Sequence, residues 1–195
     1  MTVTVVMPTV GRPSLERAIA SVVDQLEDSD ELLVIGDGER PVAADVVAGF
    51  QPAPVTYVEC LRPGSVFGNA QRDFGMQLAY GRSSHLMFLD DDDVYVHGGF
   101  DVVRRELEFN PNSAHIFRAR WGPRHHAFGV ELWQDQVVRE QNIATPMVVL
   151  PNRYYDCSWW QFNARGVVSD FGFLAAALGQ CSVAWHTDVI AVVRP

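Results

Sequence analysis

Residues 3–23 read VTVVMPTVGRPSLERAIASVV, a β-branched run that gives way within a few positions to helical spacing. VTVVM has the unbroken apolar character of a strand buried on both faces, and it ends at Pro8. From Pro13 onward, Leu15, Ala18, Ile19, Val22 and Val23 recur three and four apart, which lines one face of a helix with proline in its first turn. The pattern then repeats. ELLVIGDGER (31–40) is a second strand interrupted by Gly36 and Gly38, a weaker helix runs to about Gly49, and PVTYVEC gives a third strand near 54–60. VFGNAQRDFGMQLAYG (66–81) is helical, with Ala70, Phe74 and Leu78 on one face and Gly81 as its C-terminal cap, and SHLMFL supplies the next strand. This alternation predicts an α/β domain with a largely parallel sheet, whose ligands sit at the C-terminal ends of the strands.

Beyond residue 97 the periodicity loosens. GGFDVVRRELEF is helical in pattern, AHIFRARW strand-like, residues 121–152 mix strands and loops, SDFGFLAAALG (169–179) is a further helix, and SVAWHTDVIAVVRP closes the chain in strand-like segments. The 195 residues, 48% of them apolar, suit one domain with an ordinary core. All fifteen basic residues are arginines, so mechanisms that need a Schiff-base or Walker lysine are excluded. A net charge of −9 argues against a general nucleic-acid binder. Three cysteines without zinc-type spacing, Cys60, Cys157 and Cys181, predict a reducing, cytoplasmic setting. The N-terminus lacks a charged leader, and no eighteen apolar residues run together, so a soluble, unprocessed chain is expected.

HLMFLDDDDVYV (85–96) places Asp90, Asp91, Asp92 and Asp93 at the end of a buried strand. Like charges about 4 Å apart repel by roughly 4 kcal/mol per pair at an effective dielectric near 20, so the cluster calls for a cation or protons. Three readings compete: a solvated acidic turn, the DxDx(T/V) motif of haloacid-dehalogenase phosphatases on Asp90, Asp92 and Val94, and a divalent-cation site for a nucleoside diphosphate. The phosphatase motif belongs on a first strand and needs a downstream lysine or arginine. Carboxylate oxygens are the hard ligands that Mg²⁺ and Mn²⁺ select, and the third reading also accounts for the motifs upstream.

VVMPTVGRPSLERAIASVVDQ, ELLVIGDGE and GNAQRDFGMQLAYGRSSHLMFLDDDDVY resemble, in order and at similar spacing, the signatures of family-2 glycosyltransferases: V-x-I-P-T-Y-N-R, V-D-D-G-S, and A-x-R-N-x-G followed by D-x-D. The resemblance covers about half the chain and implies the GT-A fold, a Rossmann-like three-layer α/β/α domain with a mostly parallel mixed sheet. Residues 1–96 would form the nucleotide-binding half and 97–195 the acceptor and catalytic half of a single domain. It implies an enzyme that moves a sugar from a nucleotide-diphosphate sugar, UDP first, to a hydroxyl acceptor with inversion, using Mn²⁺ or Mg²⁺.

Carried over by position, Pro8, Thr9, Val10 and Arg12 would line the nucleotide pocket, Asp37 would recognise the base, Arg72 would lie near the nucleotide and Asp91 at the ribose. Asp92 would bind the metal, assisted by Asp90 and by His186 as a late histidine. Departures at Val10, Gly11, Gly36 and Asp73 leave the base open. GVVSDFGFLAAALG resembles the segment carrying the catalytic base, with Ser169 in place of Glu, which makes Asp170 the candidate and Asp156 its competitor. Trp133, Trp159 and Trp160 are either sugar platforms or core, and His125 and His126 carry no assignment. The rival functions are a nucleotidyltransferase, whose N-terminal G-x-G-x-R and lysine are missing here, and a degenerate nucleotide-sugar binding module.

Overall fold

The computed structural model describes residues 1–61, 68–122, 125–126, 133–140, 142–155 and 170–195. Strand β1 (Val3–Thr9) is buried at every position and runs two residues past the expected end, because Pro8 and Thr9 still lie in register beside Ile35 and Gly36. Helix α1 (Leu15–Val23) follows, burying Leu15, Ala18, Ile19 and Val22. Each large aliphatic side chain so buried contributes about 1.5–3 kcal/mol before the entropy of ordering it is set against it. Next come β2 (Glu31–Asp37), α2 (Pro41–Ala48), β3 (Val55–Cys60), α3 (Asn69–Ala79) and β4 (His85–Phe88). β5 (Val94–Tyr95), α4 (Gly99–Phe109), β6 (Ala114–Trp121), β7 (His125–His126), a 3-10 turn (Thr145–Met147), β8 (Val148–Pro151), α5 (Asp170–Leu178) and β9 (Val183–Val193) complete the described elements.

One sheet joins the strands in the order β3-β2-β1-β4-β8-β6-β9-β5, with β7 on β6. β3, β2, β1 and β4 are parallel, whereas β8 pairs antiparallel with both β4 and β6, and β9 lies parallel to β6. This is the α/β architecture with a mixed, mostly parallel sheet that the strand–helix alternation predicts. The sheet runs without a break from the first half of the chain into the second, since β8 docks directly on β4.

The chain leaves β1 towards β2 on one side and returns to β4 on the other. Right-handed crossovers then put α1 and α3 on opposite faces and open a crevice between the C-terminal ends of β1 and β4. Among the described residues no helix is long and apolar enough to cross a membrane.

Helix α3 departs from its expected packing. Ala70 is buried, but Phe74 and Leu78 are only half-buried, and the helix instead buries Asn69, Gln71, Arg72, Asp73, Gly75 and Ala79. Its N-terminal turns face the crevice, where acidic groups recruit Gln71 and Arg72, and it rests on the sheet through Gly75. A Cβ at Gly75 would fall 2.4 Å from Val6 Cγ1, and Val6 is fully buried.

Gly75→Ala should therefore destabilise the protein by about 1–3 kcal/mol, despite alanine's helix propensity advantage of about 1 kcal/mol. Urea unfolding of the single variant and of Gly75→Ala with Val6→Ala checks this. The second substitution should recover part of the loss, and additive losses would show that the two residues do not meet.

Candidate functional site

The crevice holds a cleft of about 280 Å³. Pro8, Thr9, Val10 and Arg12 enter it from the end of β1 and the loop beyond, Asp37 from the end of β2, and Arg72 from α3. Asp90, Asp91 and Asp92 reach it from the turn after β4. Gly68, Gln71 and Arg194 complete its lining, and none of these three was expected from the sequence. Gly68 sits at the head of α3 with φ of +75°, where a Cβ would meet the Pro8 ring at 2.9 Å. Glycine there lets the helix N-terminus, the positive end of its dipole, close on the cleft.

Asp91 is buried and accepts three hydrogen bonds. Its Oδ2 accepts from the Thr9 hydroxyl at 2.7 Å and the Val10 N–H at 3.2 Å, and its Oδ1 accepts from the Arg12 guanidinium. Thr9 Oγ1 in turn accepts the Gly11 N–H at 2.9 Å. Asp91 thus pins the loop after β1 in place while lining the cleft. Asp37 accepts from Gln71 Nε2 at 2.9 Å, which couples the end of β2 to α3.

Asp90 is held by the buried Arg72, whose other amino group donates to Asn69 Oδ1 at 3.2 Å. Asp92 lies between two guanidinium groups, Arg12 at 3.8 Å and Arg194 at 3.7 Å. Arginines from three distant parts of the chain therefore face three of the four aspartates.

Asp93 is different. It is buried, accepts the Arg194 backbone N–H at 2.9 Å, and its own N–H donates to the Asp90 carbonyl at 3.0 Å, closing a tight turn. Burial, reinforced by the charges of Asp90 and Asp92 and opposed by the Arg194 N–H, pushes its carboxyl up to about 7.

The turn brings one ligand atom each of Asp90, Asp92 and Asp93 within 4.8 Å of one another. An all-oxygen donor set of this size suits a hard divalent cation, whose charge would offset both the burial and the neighbouring carboxylates that make Asp93 hard to ionise. The residues present therefore fit Mg²⁺ or Mn²⁺. Alternate spacing selects Asp90 and Asp92 from the run, and only the tight turn adds Asp93.

The sequence model of glycosyl transferase family 2 matches residues 4–159. The chain belongs to glycosyl transferase family 2. Among solved structures it is similar to Staphylococcus aureus TarS, with a TM-score of 0.80 at 11% identity, covering 100% of this chain and 37% of that one. It is also similar to TarS 1–349 in complex with UDP-GlcNAc, with a TM-score of 0.75 at 10% identity, covering 99% of this chain and 58% of that one. For the complex of TarS 1–349 with UDP the TM-score is 0.76 at 11% identity, with 99% and 60% covered. The chain thus spans between 37% and 60% of the length of these structures, and at such identities the likeness is one of fold. A sequence search of curated proteins gives no match.

Within this family 2 fold, His186 is not brought to the aspartates. It lies on β9 beside β6, stacked on Phe117 with centroids 4.5 Å apart, with Nε2 2.9 Å from His115 Nδ1 and Nδ1 3.4 Å from Glu106. Pairing of β5 with β9 sets Tyr95 against Ala191, five residues further on, which is roughly 17 Å along a strand. Burial and the neighbouring His115 lower its pKa, partly offset by Glu106, and its expected metal role is withdrawn.

Trp133 is 8% exposed and packs edge-on against Trp185 at 5.0 Å, so it is core rather than an open platform. Asp170 starts α5, with its side chain outside the described residues, as are Asp156, Trp159 and Trp160.

Asp93 generates a pH prediction. Its carboxyl lies higher in the folded protein than the usual 3.8, so the folded state holds the proton more tightly. Metal-free protein should lose stability as pH rises from about 4, with the full penalty present above about 7. Asp93→Asn removes that penalty and keeps an acceptor for the Arg194 N–H. Its melting temperature in chelator should match the parent near pH 4 and exceed it increasingly towards pH 8. A difference independent of pH would show that Asp93 does not titrate in this range.

Proposed function

We propose that the chain transfers a sugar from a nucleoside-diphosphate sugar, with uridine as the favoured base, to a hydroxyl acceptor. The observation that carries this is the assembly of nine motif residues, from four separate stretches of sequence, around one cleft at the point where the strand order reverses. Asp37, positioned by Gln71, accepts a hydrogen bond from the base, while Pro8, Thr9 and Val10 form the wall of the nucleoside site. The N-terminus of α3 favours the diphosphate, beside the loop that Arg12 ties to Asp91. The UDP and UDP-GlcNAc complexes of TarS support uridine for a related fold.

Asp90, Asp92 and Asp93 would hold a divalent cation, Mn²⁺ or Mg²⁺, which when bound supplies positive charge to the departing diphosphate. Asp170, at the start of α5, takes the proton of the acceptor hydroxyl as its oxygen bonds to the anomeric carbon and the bond from that carbon to the diphosphate breaks. A single displacement of this kind inverts the anomeric centre. The acceptor class is a saccharide, a protein or a small hydroxyl compound, and the setting is cytoplasmic.

UDP should raise the melting temperature far more with Mn²⁺ than with chelator, and Asp92→Ala should abolish that difference. Equal stabilisation under both conditions would remove the metal from the reading. Asp37→Ala should weaken UDP binding about 10- to 100-fold by calorimetry, the value of a charge-assisted hydrogen bond. Unchanged affinity would reduce Asp37 to a turn residue.

Asp170→Asn should bind UDP and Mn²⁺ as the parent does while turnover falls by about 10²–10⁴ in a donor hydrolysis or transfer assay. Asp156→Asn is the paired control. If that variant alone is inactive, the base is Asp156, and if both retain activity, the inverting reading fails.

A further inference from the structure

Arg194 was no part of the sequence expectations, yet its backbone and its side chain are treated very differently by the fold. The backbone is fixed. Its N–H donates to the buried Asp93 at 2.9 Å, the preceding carbonyl of Val193 accepts from Gly122 at 2.8 Å, and its φ is +47°, a left-handed conformation uncommon for a residue with a side chain. Departures of this kind persist where the surrounding structure enforces them and gather at functional sites.

The side chain, by contrast, is 66% exposed and reaches the cleft lining. Its guanidinium stands 5.4 Å from the centroid of the Trp121 ring on one side and 3.7 Å from Asp92 on the other. The register that sets Trp121 against Val193 places the ring beside it.

The contact with Asp92 is loose. Hydrogen bonds from nitrogen to oxygen run about 2.7–3.2 Å, so 3.7 Å is an ion pair without one, and the second cation on Asp92, Arg12, is no nearer at 3.8 Å. Exposed pairs of this kind contribute little and exchange readily. Arg12 and Arg72 are committed elsewhere, to the buried Asp91 and to Asp90. Arg194 is thus an arm anchored at its backbone, resting on an aromatic face, with a loosely held guanidinium beside both the candidate cation ligands and the space a diphosphate would fill.

We propose that Arg194 binds the diphosphate by exchanging partners. In the donor-free protein it balances Asp92. When a nucleoside diphosphate enters, the guanidinium turns from Asp92 to the phosphate oxygens, and Asp92 is released to the cation. The proposal rests on the donor reading above and adds to it a physical link between the two ligands: each is bound more tightly when the other is present, and Arg194 carries part of that coupling. The guanidinium fork suits paired phosphate oxygens, which a single ammonium meets less well.

The exchange has a signature that a merely structural arginine lacks, because its loss moves the two affinities in opposite directions. Arg194→Gln removes the cation competing for Asp92, so Mn²⁺ alone should bind about threefold or more tightly, measured by electron paramagnetic resonance of free Mn²⁺. UDP, titrated calorimetrically at saturating Mn²⁺, should bind about tenfold or more weakly. Arg194→Lys should be intermediate on both measures.

Losses of both affinities in step with a lower melting temperature would make Arg194 structural and overturn the exchange. Unchanged UDP affinity in a variant whose parent binds UDP would overturn it while leaving the donor reading intact. A parent protein that binds neither UDP nor UDP-sugars would overturn the donor reading, and the exchange with it.

Discussion

Four carboxylates on consecutive residues at one sheet edge must be neutralised, and much of the local structure follows from how this chain does it. Arg12 comes from the loop after β1, Arg72 from α3 and Arg194 from beyond β9, so the charge of one turn ties together three distant segments. The fourth carboxylate, Asp93, is the one whose ionisation burial opposes most, its pKa pushed up to about 7. The same demand explains why α3 turns polar side chains inward, an arrangement that would be costly without charged partners waiting for them.

These arginines arrive together only because of the strand order. β4 lies beside β1, which sets the aspartate turn over the loop that Asp91 clasps. β5 lies beside β9, which delivers the chain's last residues to the same turn through Val94 and Val192. A parallel sheet with a reversal in its order leaves a crevice for a ligand, and the strands added beyond β4, antiparallel at β8 and β5 and parallel where β9 meets β6, close that crevice with residues far along the sequence.

That division marks what was legible in the sequence. β1 to β4 are local, strongly periodic and bounded by proline and glycine, so their strands, helices and most of their cleft residues, though not Gly68 or Gln71, are legible in order. His186 and Arg194 show where such reading ends. They are eight residues apart in one strand region, and the choice between them depends on a register that is set by pairing with β6 and β5 rather than by local pattern. The packing of α3 departs from its helical period for a related reason. Phe74 and Leu78 obey the helical period, but the contact with Val6 is decided by the smallest residue on the helix, Gly75, and by the charges across the cleft.

The absence of lysine fits this arrangement. The nucleoside diphosphate proposed as ligand is an anion, the chain carries a net charge of −9, and unbalanced aspartates at the cleft would repel it. Three guanidinium groups bring the local charge close to neutral, and each is planar with several donors, so one arginine can face two groups at once. Arg12 spans Asp91 and Asp92, and Arg72 spans Asp90 and Asn69. An ammonium is a more strongly hydrated point charge on a flexible stem, and it would hold either partner with less geometric definition. With the aspartates largely balanced by groups that can bridge, a divalent cation added on the proposed reading would make the cleft positive. On that reading the cleft would attract a diphosphate in the cation-loaded state and far less without it.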